Sequence, residues 1–307
     1  TMSHLRVSVL IPTYNRAAFL SDAIESLLAQ TRVPDEIIVV DDGSSDDTER
    51  VLGQYAGRIQ ALRQSNQGPS AARNAAFRAS SGDLIAFLDS DDTLAPTSIE
   101  QRAVFLEAHP KISFVYTGAY MTDIEETPLQ WFRKPPLPQG NVFHEVICRP
   151  LFPIHAVMLR RSIVDRSFLF DERLRSAEDT ELWAYLTARH QVAAIELPLS
   201  NYRSHPDMIT ERMDQVGTSL IAVQEQIMRM PEFRALPPQQ QGVFFTWYGM
   251  YHLYAHQARQ ARGYLVRALR CAPTLKRPYV LLLLSLFGSQ GFEAAMRLYR
   301  RANTFRT

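Results

Sequence analysis

Asp89 and Asp91 stand two residues apart at the end of an apolar run, Leu84-Ile-Ala-Phe-Leu88. Carboxylates at that spacing suit a hard divalent cation such as Mg²⁺ or Mn²⁺, which takes carboxylate oxygens and keeps positions open for phosphate oxygens. A cation held there would stabilise charge developing on a departing diphosphate. The plainer alternative is a solvated acidic turn, with Asp92 capping the helix that follows. A second acidic pair, Asp41-Asp42, closes another apolar run, Glu36-Ile-Ile-Val-Val40. A third, Glu178-Asp179, opens a helical pattern that reaches Arg189. A carboxylate fixed at a helix start can take a proton from a hydroxyl as general base. Asp is also a common helix cap, and Glu178 is a second candidate for that role.

Some chemistry is absent. No Gly-x-Gly-x-x-Gly follows the first apolar run, and no Gly-x-x-x-x-Gly-Lys occurs. Dinucleotide dehydrogenases and P-loop enzymes need those glycines so that the backbone can approach phosphate. The first run ends instead in Pro12-Thr-Tyr-Asn-Arg16. A nucleotide bound here would need its phosphates neutralised in another way, and a cation is the direct choice. His252 and His256 are four apart, but no Glu follows the first, so a zinc-protease site is not indicated.

The elements that must position these groups alternate. Residues 7–11 predict a strand, and 17–30 a helix with Phe19, Ala23, Ile24, Leu27 and Leu28 on one face. Strands are expected over 36–40, 59–62 and 83–88, and helices over 46–54 and 69–80. Near-continuous apolar strands are covered on both faces. The alternation implies parallel βαβ units in a doubly wound α/β sheet, whose ligands sit at the carboxyl ends of the strands. Both acidic pairs, Asp41-Asp42 and Asp89–Asp92, lie at such ends. A helix is expected from Pro96 to about His109, and strands over 112–120, 154–159 and 192–195. Residues 122–140 are polar and proline-rich and read as a long binding loop or lid. From about residue 215 strand signals vanish and helical patterns broken by proline take over. The expected domains are therefore 1–214, α/β, and 215–307, all helical.

The net charge of +1 hides an asymmetry: residues 215–307 carry twelve Lys and Arg against three acids, about +9, leaving about −8 for the rest. The basic helices are candidates for peripheral contact with an anionic membrane or for homodimer formation; nucleic acid is not expected as a partner. With two widely spaced cysteines, Cys148 and Cys271, neither a disulfide framework nor a zinc knuckle is indicated. A cytoplasmic location, peripheral at the inner face of the membrane, fits. The most apolar stretch, Val280–Leu284 with Leu286 and Phe287, is about half of the ~20 residues a spanning helix needs, and reads as a buried helix first and a membrane-surface contact second.

Five stretches in order carry a family resemblance: Val7-Ser-Val-Leu-Ile-Pro-Thr-Tyr-Asn-Arg16, Ile37-Ile-Val-Val-Asp-Asp-Gly-Ser44, Asn66-Gln-Gly-Pro-Ser-Ala-Ala-Arg-Asn74, Gly82-Asp-Leu-Ile-Ala-Phe-Leu-Asp-Ser-Asp-Asp92, and Phe170-Asp-Glu172 with Glu178-Asp179. The first two thirds of the chain resembles family 2 glycosyltransferases of the GT-A fold. The resemblance implies a mixed sheet flanked by helices, with the helical region lying outside it. It implies an inverting transferase that moves a sugar from a nucleotide-diphosphate donor, UDP-linked by preference, to a saccharide or lipid-linked acceptor, in cell-surface polysaccharide or glycan assembly. Mn²⁺ or Mg²⁺ would be the cofactor. Asp41 and Asp42 would meet the nucleotide base, and Pro12 and Tyr14 the base or ribose. Arg73, Asp89 and Ser90 would approach the donor. Asp91 would ligate the metal with Asp89, and His205 would add a ligand or phosphate contact. Asp179 would be the base, with Glu178 beside it. His155 and Trp131 are weaker candidates for acceptor contact. Two competing readings are a catalytically silent nucleotide-sugar-binding or scaffold protein and a nucleotidyltransferase. The latter would want a glycine-rich basic loop after the first strand, which Pro12–Arg16 is not.

Overall fold

The computed structural model describes residues 4–164, 169–174, 176–205, 213–287 and 292. The chain divides into two compact units, Thr1–Val142 with Leu151–Pro206, and Phe143–Pro150 with Asp207–Thr307. The change of character expected at 214–215 lies beside residues 206–212, which are outside the described ones.

The first unit is built on one mixed sheet. Its strands are β1 (Val7–Thr13), β2 (Glu36–Asp41), β3 (Gln60–Arg63), β4 (Leu84–Phe87), β5 (Thr93–Leu94), β6 (Phe114–Thr122), β7 (Pro128–Trp131), β8 (Val157–Arg160) and β9 (Val192–Arg203). Among the described residues they run in the order β3-β2-β1-β4-β8-β6-β9-β5, with β7 added on β6. The β3-β2-β1-β4 half is parallel, as strand-helix alternation requires. Strand β8 then pairs antiparallel with both β4 and β6.

Helices α1 (Ala17–Leu28), α2 (Thr48–Gly53), α3 (Pro69–Ala79), α4 (Ser98–Ala108) and α6 (Glu178–Thr187) belong to this unit, with α5 (Phe143–Cys148) in the other. Alternate residues of β1, Val7, Val9 and Ile11, enter one core with Leu20, Ile24 and Leu27 of α1 and Ile99, Ala103 and Leu106 of α4. The intervening Ser8 and Leu10 are also fully buried, and α3 packs on β1 and β2. Two covered faces explain why these strands read as continuous apolar runs. Helix α3 begins where Gly68, at φ +96°, hands over to Pro69, whose missing N–H costs nothing at a first helical position.

Three expectations are corrected. The proline-rich stretch 122–140 contains strand β7, paired antiparallel with β6. Pro128 opens it, a position where no ladder N–H is required. The strand expected over 192–195 continues to Arg203, through Pro198, which sits opposite Gly118 at a register shift in the β6–β9 ladder. The irregularity absorbs the backbone donor that Pro198 lacks. The strand expected from Ile154 begins only at Val157, after a 3₁₀ turn at Ile154–Ala156.

The second unit holds α5, α7 (Met213–Arg229), α8 (Pro231–Arg234), α9 (Pro238–Tyr254), α10 (Ala258–Cys271) and α11 (Lys276–Ser285). Helices α9 and α10 meet closely at two glycines. A Cβ on Gly249 would lie 2.7 Å from Leu265 Cγ, and one on Gly242 2.6 Å from Ala272 Cβ. Phe244, Phe245, Tyr248 and Leu265 are fully buried. Helix α11 is a fourth correction. The first expectation, a buried helix, holds for one face only: Tyr279, Val280 and Leu283 on α11, with Leu286 and Phe287 directly after it, are 53–70% exposed. A run of leucines has no polar face to offer. Packing one side of so short a helix on α10 leaves the surplus apolar side chains outside. No described helix is long and apolar enough to cross a membrane.

Candidate active site

The carboxyl ends of β1, β2 and β4 converge because the three strands are parallel neighbours. After β1, Asn15 adopts φ +52°, and its N–H donates to Ser44 Oγ at 2.9 Å. Asn15 Oδ1 accepts from Ser45 N at 2.8 Å. The first loop is thereby tied to the loop after β2, while Tyr14 is 47% exposed beside it and Pro12 is buried in the strand. Asp41 is buried; its Oδ1 accepts from Ser44 N at 2.8 Å, and Arg63 Nη1 stands 3.6 Å from its Oδ2. Asp42 Oδ1 accepts from Gln64 Nε2 at 2.8 Å and Gln67 N at 2.9 Å, and Oδ2 accepts from Gly68 N at 2.7 Å. A carboxylate has roughly four acceptor positions, so these contacts leave room for one more donor. Asp42 therefore already sets the loop that launches α3.

Helix α3 carries Arg73, and this residue joins two of the acidic groups. Its Nη2 donates to Asp89 Oδ1 and its Nη1 to Glu178 Oε1, both at 2.5 Å. Arg73 is itself nearly sealed from solvent. The two carboxylates hold the guanidinium in its charged form against the cost of burial. Asn74, the next residue, binds the segment leading to α6. Its Oδ1 accepts from Leu169 N at 3.0 Å and Phe170 N at 2.9 Å, and its Nδ2 donates to Phe170 O at 2.8 Å. One helix thus positions the acidic turn through Arg73 and the approach to α6 through Asn74.

The acidic turn closes with Asp92 N donating to Asp89 O at 3.1 Å. Asp89 and Asp91 keep about a quarter of their side-chain surface exposed, 27% and 24%. Ser90 is buried between them. His205 Nε2 lies 3.1 Å from Asp91 Oδ2, and Arg16 Nε lies 3.4 Å from the same oxygen. His205 is buried, its ring tilted against Phe19 at 5.0 Å. It is delivered there by β9, since β5, directly after the acidic turn, pairs with Ser200 and Asn201.

Asp92 is not a helix cap. It is buried, its Oδ1 accepts from Arg203 N at 2.8 Å, and its Oδ2 lies 2.7 Å from His155 Nδ1. Burial pushes its carboxyl well above the usual range, with His155 opposing and Asp91 and Asp89 adding to the rise. His155 has no exposed surface and stacks on Tyr202 at 5.6 Å. Arg102 anchors the same turn, donating to the carbonyls of His155 and Val157 at 3.0 and 3.1 Å. Trp131 packs on β6, edge-on to Tyr120 at 5.3 Å and over Gly118, where a Cβ would lie 2.6 Å from the indole.

At α6, Ala177 precedes the helix in the left-handed region, φ +59°, and supplies no side-chain cap. A non-glycine residue there costs of order 1–2 kcal/mol and is retained only where packing dictates it. Glu178 is committed to Arg73. Among the described residues no cation forms an ion pair with Asp179; Thr180 N donates to its Oδ1 at 2.6 Å. Burial, and then the negative charge of Glu178, push the Asp179 carboxyl well above the usual range.

Among the described residues, Asp89, Asp92 and His155 offer ligand atoms within 4.8 Å of one another. Asp92 and His155 are sealed and face each other, so a diphosphate has no approach to them. Asp89 and Asp91 are the carboxylates that solvent reaches, and the His205 imidazole adjoins Asp91. Carboxylate oxygens with one imidazole nitrogen fit a divalent cation of the Mn²⁺ or Mg²⁺ type. Arg16, beside Asp91, and the Asp92–His155 contact were not anticipated as site features. Both join residues more than sixty positions apart, for which local spacing carries no signal.

Comparison with known proteins bears on this arrangement. The model of Glycosyl transferase family 2 matches residues 8–168. An uncharacterized glycosyltransferase of Rickettsia bellii (strain RML369-C) is 35% identical over 207 residues, covering 67% of this chain and 30% of the relative. The chain spans about a third of the length of the first curated relatives it matches. S. aureus TarS 1-349 is similar in fold, with a TM-score of 0.63 at 16% identity, covering 97% of this chain and 92% of that one. A structure of the same TarS fragment is a complex with UDP-GlcNAc. The mannosyltransferase PcManGT from Pyrobaculum calidifontis, in complex with GDP-Man and Mn²⁺, has a TM-score of 0.60 at 18% identity and covers 99% of this chain and 83% of its own.

Proposed function

The chain belongs to glycosyl transferase family 2, and from that premise we propose that it transfers a sugar from a nucleoside-diphosphate donor to an acceptor hydroxyl by a single inverting displacement. The observation that carries this reading is the Arg73 clamp, which puts a solvent-reachable acidic turn and the Glu178-Asp179 pair at two ends of one guanidinium.

Asp89, Asp91 and His205 would hold the divalent cation, which supplies charge neutralisation to the leaving diphosphate. Pro12, Tyr14, Asp41 and Asp42 line the strand ends where a nucleotide base would lie. Asp41 Oδ2 is buried and accepts no hydrogen bond, with Arg63 Nη1 3.6 Å from it, so a ring N–H would have to reach it from the strand ends. UDP is the nucleotide proposed, supported by the UDP-GlcNAc complex of the TarS fragment, with the GDP-Man complex of PcManGT as the competing precedent. Asp179 accepts the acceptor's hydroxyl proton while the acceptor oxygen attacks the anomeric carbon and the bond to the diphosphate breaks. Glu178 keeps Arg73 in place and, by its charge, keeps Asp179 basic enough to take that proton. His155 is given the role of holding Asp92, and Trp131 that of closing the β6–β7 hairpin, rather than contact with an acceptor. The acceptor is a saccharide or lipid-linked hydroxyl.

The test is Asp179→Asn. Calorimetry with UDP and Mn²⁺ should show affinity unchanged from the natural protein, while transfer falls ~100- to 10,000-fold, the range for loss of a general base. Full transfer by this variant would remove Asp179 from the mechanism. A panel of nucleotide-sugars showing neither metal-dependent turnover nor binding would favour the catalytically silent scaffold.

A further inference from the structure

Of the large apolar side chains exposed anywhere in the described residues, five lie on or directly after one ten-residue helix, α11: Tyr279, Val280, Leu283, Leu286 and Phe287. Their spacing of one, three, three and one places them on a single helical face. The opposite face, with Pro278, Leu281 and Ser285, is buried in the helical unit. This is a continuous ridge, not scattered exposure, and ridges of that kind mark contact surfaces.

Charge indicates what covers it. From Phe233 to Phe292 the chain has no Asp or Glu and seven Lys or Arg, with Lys276 and Arg277 at the start of α11 itself. Arg270, Lys276 and Arg277 are all exposed, with Arg277 held over the Trp247 ring at 4.2 Å. A second copy docking ridge to ridge would bring these like charges together. A surface both apolar and anionic fits all of these groups at once. At ten residues α11 cannot span a bilayer, which takes about 20.

We infer that the α11 ridge is a membrane anchor: it lies in the plane of an anionic lipid surface, with Leu283, Leu286 and Phe287 entering the headgroup–acyl boundary and Lys276 and Arg270 meeting lipid phosphates. Tyr279 and Phe287 supply the aromatic side chains favoured at that depth. This goes beyond the proposed transfer reaction and does not depend on it.

The test is flotation of the full chain with vesicles of phosphatidylcholine alone or mixed with phosphatidylglycerol. Binding should appear on the mixed vesicles and weaken as salt is raised. Leu283→Ser/Phe287→Ser should lose binding about tenfold or more, and Lys276→Gln/Arg270→Gln should lose a similar factor on the anionic vesicles. These side chains are exposed, so all variants should fold. Circular dichroism and donor hydrolysis without lipid should be unchanged, which separates failure here from failure of the transfer reading. Equal flotation of the natural chain and the serine variant overturns the proposal. So does a dimer in sedimentation that dissolves in the serine variant, or protection of the Leu283, Leu286 and Phe287 side chains from hydroxyl-radical footprinting without lipid. Those two results would assign the ridge to a second copy or to the chain's own residues 288–307, which lie largely outside the described ones.

Discussion

Arg73 is the residue on which the proposed site turns, because it divides two neighbouring carboxylates into different roles. Glu178 receives the guanidinium and is fixed; Asp179 receives burial and its neighbour's negative charge. A general base works only when ionised, so transfer should fall as pH drops through the raised Asp179 value, above the usual carboxylate range. Replacing Glu178 with Gln keeps an oxygen for Arg73 but removes the like charge. The acid limb of the kcat profile should then move to lower pH, and a limb that stays in place would dismiss Glu178 as its cause. At the other end of the clamp, Asp91 is approached by His205 and Arg16. Calorimetry of Asp91→Ala should show loss of Mn²⁺-dependent nucleotide binding. Unchanged Mn²⁺-dependent affinity would remove Asp91 from the cation site.

At the scale of elements, α3 is the organising piece. Asp42 sets its entry loop, Gly68 and Pro69 start it, and Arg73 and Asn74 make its two tertiary attachments. Asn74 is fully buried and satisfies two backbone N–H groups and one carbonyl of the segment before α6. Asn74→Ala should cost about 2–4 kcal/mol, since buried backbone groups lose their partners. Urea unfolding followed by circular dichroism measures this, and a cost below about 1 kcal/mol would mean that the segment is held by other contacts. Activity should fall further than stability, because α6 would no longer hold Asp179 opposite the acidic turn.

Across the whole molecule, an acidic sheet unit is joined to a basic helical one. Within the bounds of the two units the charges are about −6 and +7, which match a cation-assisted site in the first and an anionic surface for the second. Donor and cation bind the folded state, so each should stabilise it by linkage. UDP with Mn²⁺ at a hundred times Kd should contribute about 2.7 kcal/mol, read as a rise in Tm. EDTA should abolish that rise. An equal rise in EDTA would mean that nucleotide binds without the cation.

The strand-helix alternation, the acidic strand ends and the family resemblance were legible in the residues alone, because burial on two faces and turn chemistry act over a few positions. What each acidic residue touches was not. Asp92 read as a cap and is a buried partner of His155 and Arg203; His205 reaches Asp91 only because β9 runs on through Pro198. Those contacts join positions 63 to 114 apart, and local pattern carries no information at that separation. The α11 ridge shows the same limit from the other side. Its sequence specified an apolar helix, but only its packing on α10 decided which side chains would be left for another surface.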